Sequence, residues 1–208
     1  RLLERKFCWI YLVGKIKEAV FGDFILEHLF ELALATPDDR SEDLEAGAFL
    51  QFEDLIDSKS LWLTPNTVSV YQGMWMEIGD EPMVLETPPN VLGIIDDHWF
   101  HYVADFGNAG PDQGQGGKFL ILPPGYEGDV PEGYYVARTN TYGNWVIWRG
   151  FQVDGDTAPA VTATKERFRV YPLSQQANPP EMNFINVSGK FHNTIHRMDY
   201  GIFEEINE

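Results

Sequence analysis

A chain of 208 residues suits a single domain, a size at which roughly 70% of the unfolded surface is buried on folding, so no disulfide staple is needed. Fifteen Lys and Arg against 32 Asp and Glu give a net charge of −17, which disfavours nucleic acid and anionic lipid as partners and favours cations and basic surfaces. Cys8 is the only cysteine, which excludes an internal disulfide and a cysteine metal cluster; no apolar run reaches the ~18 residues of a membrane span, and 14 Phe, 9 Tyr and 6 Trp exclude disorder.

Residues 1–48 read as a helical segment followed by an acidic linker. The opening RLLERKFCWIYLVGKIK has the basic start and short apolar run of a signal peptide, yet Lys15 and Lys17 follow at once without a small-residue cleavage pattern, which favours a helix. Between Phe7 and Ala35 the residues Val20, Phe24, Leu26, Leu29, Phe30 and Ala33 cover one broad helical face. Thr36-Pro37 ends it, because a residue before proline is pushed out of the α region. PDDRSEDLEAG then marks the internal boundary.

Residues 49–208 read as a mainly β domain of α+β class, with antiparallel β-sandwich or jelly-roll-like layers. Val68–Ile78 and Met83–Glu86 are expected strands joined by the turn GDEP, and VLGIIDDHWFHYVADFG supplies one or two more. NAGPDQGQGG is a loop. Three further strands are expected at Phe119–Leu122, Tyr134–Ala137 and Trp145–Val153, divided by PPGYEGDVPEG and NTYG. Alternation on the third puts Trp145, Ile147, Arg149, Phe151 and Val153 on one face and Val146, Trp148, Gly150 and Gln152 on the other; with Trp on each, cover is expected on both. GDTAPAVTATKERF has a helix start, with Asp156 or Thr157 as N-cap and Pro159 in the first turn. After the loop YPLSQQANPPEM and the segment NFINVSGK, TIHRMDYGIFEEINE reads as helical. With no initiator Met and an end inside that helical pattern, the chain reads as a fragment or processed form.

The densest chemistry is IIDDHWFHYVAD, where Asp96, Asp97, His98 and His101, with Asp105, offer oxygen and imidazole ligands suited to zinc, manganese or iron. On a strand His98 and His101 point to opposite faces and cannot share an ion without a bulge; polar residues at a strand end are the plainer reading. Arg149, among apolar neighbours, needs a carboxylate, carbonyl or ligand anion, and Arg138 raises the same question. GPDQGQGGKF fails as a phosphate loop, since Asp112 replaces the glycine and Phe119 follows Lys118. Asp154 and Asp156 lack the later ligands of a calcium loop and suit helix capping. His192 and His196 have metal spacing only on a helix, and Asn186 is a glycosylation acceptor only on a eukaryotic secretory route.

Taken together, WLTPNTVSVYQGMWMEIGDEPMVLETPPN, GKFLILPPGYEGDVPEGYYVARTNTYGNWVIWRGFQVDGD and RFRVYPLS resemble the large, mostly bacterial family of unknown function numbered 1254, over about Phe49 to Glu208. The resemblance implies β-sandwich or jelly-roll layers with added helices and a companion β domain, numbered 1214, beyond the present chain. It implies no established activity. Many members carry an acid where this chain has Val68, within Asn66-Thr67-Val68-Ser69-Val70-Tyr71. Asn66 and Tyr71 of that motif join Arg149 and Arg138 as ligand-binding candidates.

Two functional readings follow. The first is a secreted or cell-surface protein, with periplasmic or cytoplasmic location as alternatives, that binds cations, glycans or a partner through its acidic, aromatic-rich surface, as in a mineral-associated matrix. The second is a hydrolase-like enzyme built around Arg149 and His98. No cofactor is expected beyond weakly bound calcium, and homo-oligomerisation stays open.

Overall fold

The computed structural model describes residues 49–60, 66–190, 199–201 and 203. The expected N-terminal helix, the acidic linker and most of the terminal helical piece, with His192 and His196, lie outside them. Ten strands are described: β1 (Phe49–Gln51), β2 (Ser69–Glu77), β3 (Met83–Thr87), β4 (Val91–Asp97), β5 (Tyr102–Gly107), β6 (Gly117–Leu122), β7 (Tyr135–Arg138), β8 (Gly143–Phe151), β9 (Arg169–Pro172) and β10 (Phe184–Asn186), with helix α1 (Ala158–Arg167) between β8 and β9. They form a six-stranded sheet in the order β10-β1-β2-β8-β4-β5 and a four-stranded sheet in the order β7-β6-β3-β9.

The fold is mostly β and α+β in class, as the composition implies. The layers are not purely antiparallel, however: β1 runs parallel to β10 and β6 parallel to β7. Parallel neighbours cannot be joined by a tight hairpin. PPGYEGDVPEG is therefore a crossover, and its Tyr126, with Tyr134, packs on Val84, Leu120, Leu122 and Tyr171 on the outer face of the small sheet. The expected strand at Trp145–Val153 starts at Gly143 and stops at Phe151. Beyond it Asp154 and Gly155 take φ of 53° and 82°, a turn closed by the Val153–Asp156 bridge.

The core lies between the sheets, where Met74, Ile95, Val146 and Trp148 of the large sheet meet Leu85, Phe119, Ile121 and Val170 of the small one. The two faces of β8 are closed unequally: Val146 and Trp148 are buried to within 1%, whereas on the other face Trp145 is buried but Ile147 and Arg149 are half-buried. Gln51, Gln72 and Trp148 form one cross-strand row on the inner face, and among the described residues Gln51 Oε1, Gln72 Nε2 and Trp148 Nε1 have no hydrogen-bond partner.

Helix α1 carries the chain from the large sheet to the small one. Asp156 Oδ1 accepts from the Ala158 N–H at 2.9 Å, so Asp156 caps the helix from just outside, while Thr157 at the N-cap position donates its hydroxyl to Glu53 O. Thr164 Oγ1 donates to Gln72 Oε1 at 2.7 Å and fastens the helix to the sheet. Gly150 permits that approach, since a Cβ there would stand 2.8 Å from the Ala160 Cβ. In the glycine-rich loop, Asp112 is 2% exposed and accepts from the backbone N–H groups of Gly107 and Gly116 at 2.8 and 3.1 Å. The acid that breaks the phosphate-loop pattern is the loop's own anchor.

Candidate ligand-binding site

On the outer face of the large sheet the cross-strand register writes three rows. Tyr71, Arg149 and Leu92 lie side by side across β2, β8 and β4; next come Gly73, Ile147, Ile94 and Asp105; last come Trp75, Trp145, Asp96 and Tyr102. Asn66 enters at the first row. Its Nδ2 donates to the Tyr71 hydroxyl at 2.9 Å, and its Oδ1 accepts from Val68 N, Ser69 N and Ser69 Oγ. Three of the four ligand candidates, Asn66, Tyr71 and Arg149, thus meet at one end of one face. Asn66 is absorbed in shaping the entry to β2. Arg149 is half-buried rather than buried, and among the described residues no carboxylate or carbonyl pairs with it. Val68, at the position where the resemblance implies an acid, is 64% exposed and opens on solvent.

At the other end, the expected strand through His98 and His101 breaks into a turn between β4 and β5. Asp97, 1% exposed, builds that turn: its Oδ1 accepts from Trp99 N and His101 N at 2.8 and 2.9 Å, and its Oδ2 lies 3.2 Å from His101 Nδ1. His98 goes elsewhere. Its N–H donates to Thr141 Oγ1, and its ring packs edge-on against Trp75 and Trp99. Hence Asp97 and His101 act in the turn while His98 stacks on indoles; among the described residues no group of three or more His, Cys, Asp or Glu converges.

Asp96 points from β4 to the outer face between Trp145 and Tyr102. Burial, then the negative charges of Asp97 and Asp105, push its carboxyl above the ordinary value. The β4–β5 register slips between Ile95 and Asp96, so that Ala104 faces Ile95 while Tyr102 faces Asp96. This bulge brings Tyr102 and Asp105, three residues apart, to the same face, with Tyr102 Oη 3.4 Å from Asp105 Oδ2. Period-2 reading separates that pair, and nothing local in YVAD announces the bulge.

A concave feature of the described residues opens beside this corner. A cleft of about 350 Å³ runs between β5, the edge of the large sheet, and β7, the edge of the small one. Tyr102, Asp105, Tyr135 and Arg138 supply its rings and charges, over a floor that includes Val103, Ala104, Phe119 and Ala137. Tyr135 leans on Phe119 with ring centroids 5.1 Å apart. Arg138, the fourth ligand candidate, is exposed and donates Nη1 to Tyr126 O at 2.9 Å, which ties the crossover to β7. Tyr102 and Tyr135 are missing from the sequence reading because two edges from different sheets become neighbours only through long-range pairing.

A second polar cluster, on the small sheet, is structural. Glu86 Oε1 accepts from Lys118 Nζ at 2.7 Å and from the Tyr171 hydroxyl at 2.5 Å. Burial pushes the Glu86 carboxyl up, but the Lys118 and Tyr171 hydrogen bonds outweigh it and hold it below its ordinary value. Burial first, then the Glu86 carboxylate, keeps Tyr171 protonated far into alkali. Asn186 is exposed on β10, where its Oδ1 accepts from Ser188 N, and Ser188 Oγ accepts from Glu53 N and Asp54 N.

No curated protein matches the chain. In fold it is similar to the VPA0106 protein of Vibrio parahaemolyticus, a structural-genomics crystal structure, with a TM-score of 0.54 and 16% identity over 94% of this chain and 46% of that one. The chain therefore spans less than half the length of that protein, and at such identity the likeness speaks of fold alone. Residues 47–172 match the family model described as "Protein of unknown function (DUF1254)". The match ends at the last residue of β9, short of the Glu208 to which the motifs' resemblance extends. It takes in both sheets except β10, together with α1 and every residue of the cleft, and on that span the chain belongs to the DUF1254 family.

Proposed function

We propose that this protein is a glycan-binding module whose ligand occupies the cleft between β5 and β7. One observation carries the reading: exposed rings, Tyr102 at 64% and Tyr135 at 40%, flank Asp105 and Arg138 around an apolar floor. Aromatic faces against sugar C–H groups, with a carboxylate and a guanidinium for hydroxyls, are what a saccharide site requires. The hydrolase reading draws no support from the geometry. Arg149 aligns with Leu92, and β4 runs five residues on to Asp97 before His98, roughly 16 Å at ~3.3 Å per residue. A site spanning both would need a ligand longer than a single reacting bond.

The acidic surface supports, as part of the same proposal, a secreted protein that makes weak calcium or mineral contacts, which calorimetry with calcium at physiological ionic strength tests directly. For the glycan reading the test is a saccharide array followed by titration of Tyr102→Ala and Tyr135→Ala. Each variant is expected to weaken binding about tenfold, as loss of a central aromatic anchor does. A protein that binds no saccharide, or variants that bind as well as the parent, overturn it.

A further inference from the structure

Asp96 is the anomaly of the outer face. It is 9% exposed, no donor among the described residues reaches its carboxylate, and the charges that act on it, Asp97 beside it and Asp105 across the pair, have its own sign. Asp105 is the diagonal neighbour, roughly 7 Å away by the spacing of antiparallel pairs. Neither acid is free to serve as a counter-charge, and both would be relieved by a cation. Arg149 is no remedy: it lies four residues along β8 from Trp145, roughly 13 Å. A largely buried carboxylate beside two like charges, with no donor among the described residues, is costly to keep ionised.

Its flanks explain what would relieve it. The register sets the indole of Trp145 on one side and the phenol of Tyr102 on the other, and Phe100 packs on Trp145 with ring centroids 6.1 Å apart. Rings beside a carboxylate attract an organic ammonium through their negative faces. Calcium is the poorer match, because it seeks six to eight oxygen ligands. We propose that the row Trp145–Asp96–Tyr102 binds an ammonium group, and that the ligand of the adjoining cleft is an amino sugar with free amines. This rests on the glycan reading, since Tyr102 and Asp105 belong to both the row and the cleft. An amine seated at Asp96 would place the sugar ring against Tyr102.

Two probes with one backbone test it: the glucosamine trimer, with free amines, and its fully N-acetylated counterpart, which is neutral. The full chain is expected to bind the amine form at least about tenfold more tightly, the worth of a hydrogen bond to a charged group. Asp96→Asn should abolish that preference, and n-butylammonium alone should shift the Trp145 indole N–H resonance in the parent but not in the variant. Asp96→Asn is expected to fold with a higher melting temperature, which separates loss of the site from loss of structure. Equal binding of the two trimers overturns the ammonium inference and leaves the glycan reading standing. Failure of both trimers overturns the amino sugar as the cleft's ligand while the array still decides the glycan reading, and the n-butylammonium response then decides the ammonium row by itself: an unshifted Trp145, or a shift that persists in Asp96→Asn, overturns it.

Discussion

On its inner face the six-stranded sheet closes Val146 and Trp148 away from water, while on its outer face their chain neighbours Ile147 and Arg149 stay half open. The same strands write both faces, one residue out of phase. The inner face is packed by the small sheet and by the rings of Phe49, Phe106 and Phe168 around Trp148, whereas the outer face gathers the half-buried Tyr71, Arg149 and Asp105. Polar chemistry settles where burial is incomplete, because there a charge keeps part of its hydration. The difference separates residues that hold the fold from residues that remain available to a ligand.

The contrast is broken most forcefully at Trp148. Trp148→Ala should cost about 3–5 kcal/mol, the usual toll of emptying an aromatic core position, read as a lower midpoint in chemical denaturation. A loss under about 1 kcal/mol would mean that the inner face does not hold the fold. Asp112→Ala should come next. It strands two backbone N–H groups of the glycine-rich loop, at about 2–3 kcal/mol, and faster hydrogen exchange at Gly107 and Gly116 would locate the damage. Arg149→Met should move stability by no more than about 0.5 kcal/mol, since the side chain is half open and pairs with no described carboxylate. A larger loss on thermal melting would reveal a structural role for Arg149 and erase the distinction between the faces.

Alternation along WVIWRG was enough to divide Trp148 from Arg149, and the β-branched and aromatic runs placed β2, β3, β6 and β8 to within two residues. What periodicity cannot supply is the partner. Nothing local says that Leu120 pairs with Val136 in parallel, or that Trp145 lies beside Asp96, because pairing is settled by contacts far apart in the chain. The site suffered most from this. Arg149, Tyr71 and Asn66 were legible as candidates from motif and face, but the cleft needs β5 and β7 to arrive at one side from different sheets. The segment VLGIIDDHWFHYVADFG resolves into two strands, with the polar residues at the end of β4: β-propensity runs through HWFHY, yet the Asp97 carboxylate collects the N–H groups of Trp99 and His101 and bends the chain.

The order of strands also carries a consequence in time. Ser69 pairs with Phe151, Met83 with Pro172 and Gln51 with Asn186, so the first strand of each partnership must wait for a chain segment some 80 to 135 residues later. The chain visits the large sheet, the small one, the large one and the small one again before β8 fills the gap between β2 and β4. During synthesis the apolar strands β2 and β4 emerge with an empty place between them, and neither sheet is complete until its late strand arrives. Pairing at such separations makes folding slow. Until β8 is made, the facing edges of β2 and β4 are open to pairing with another chain, which exposes the nascent protein to aggregation.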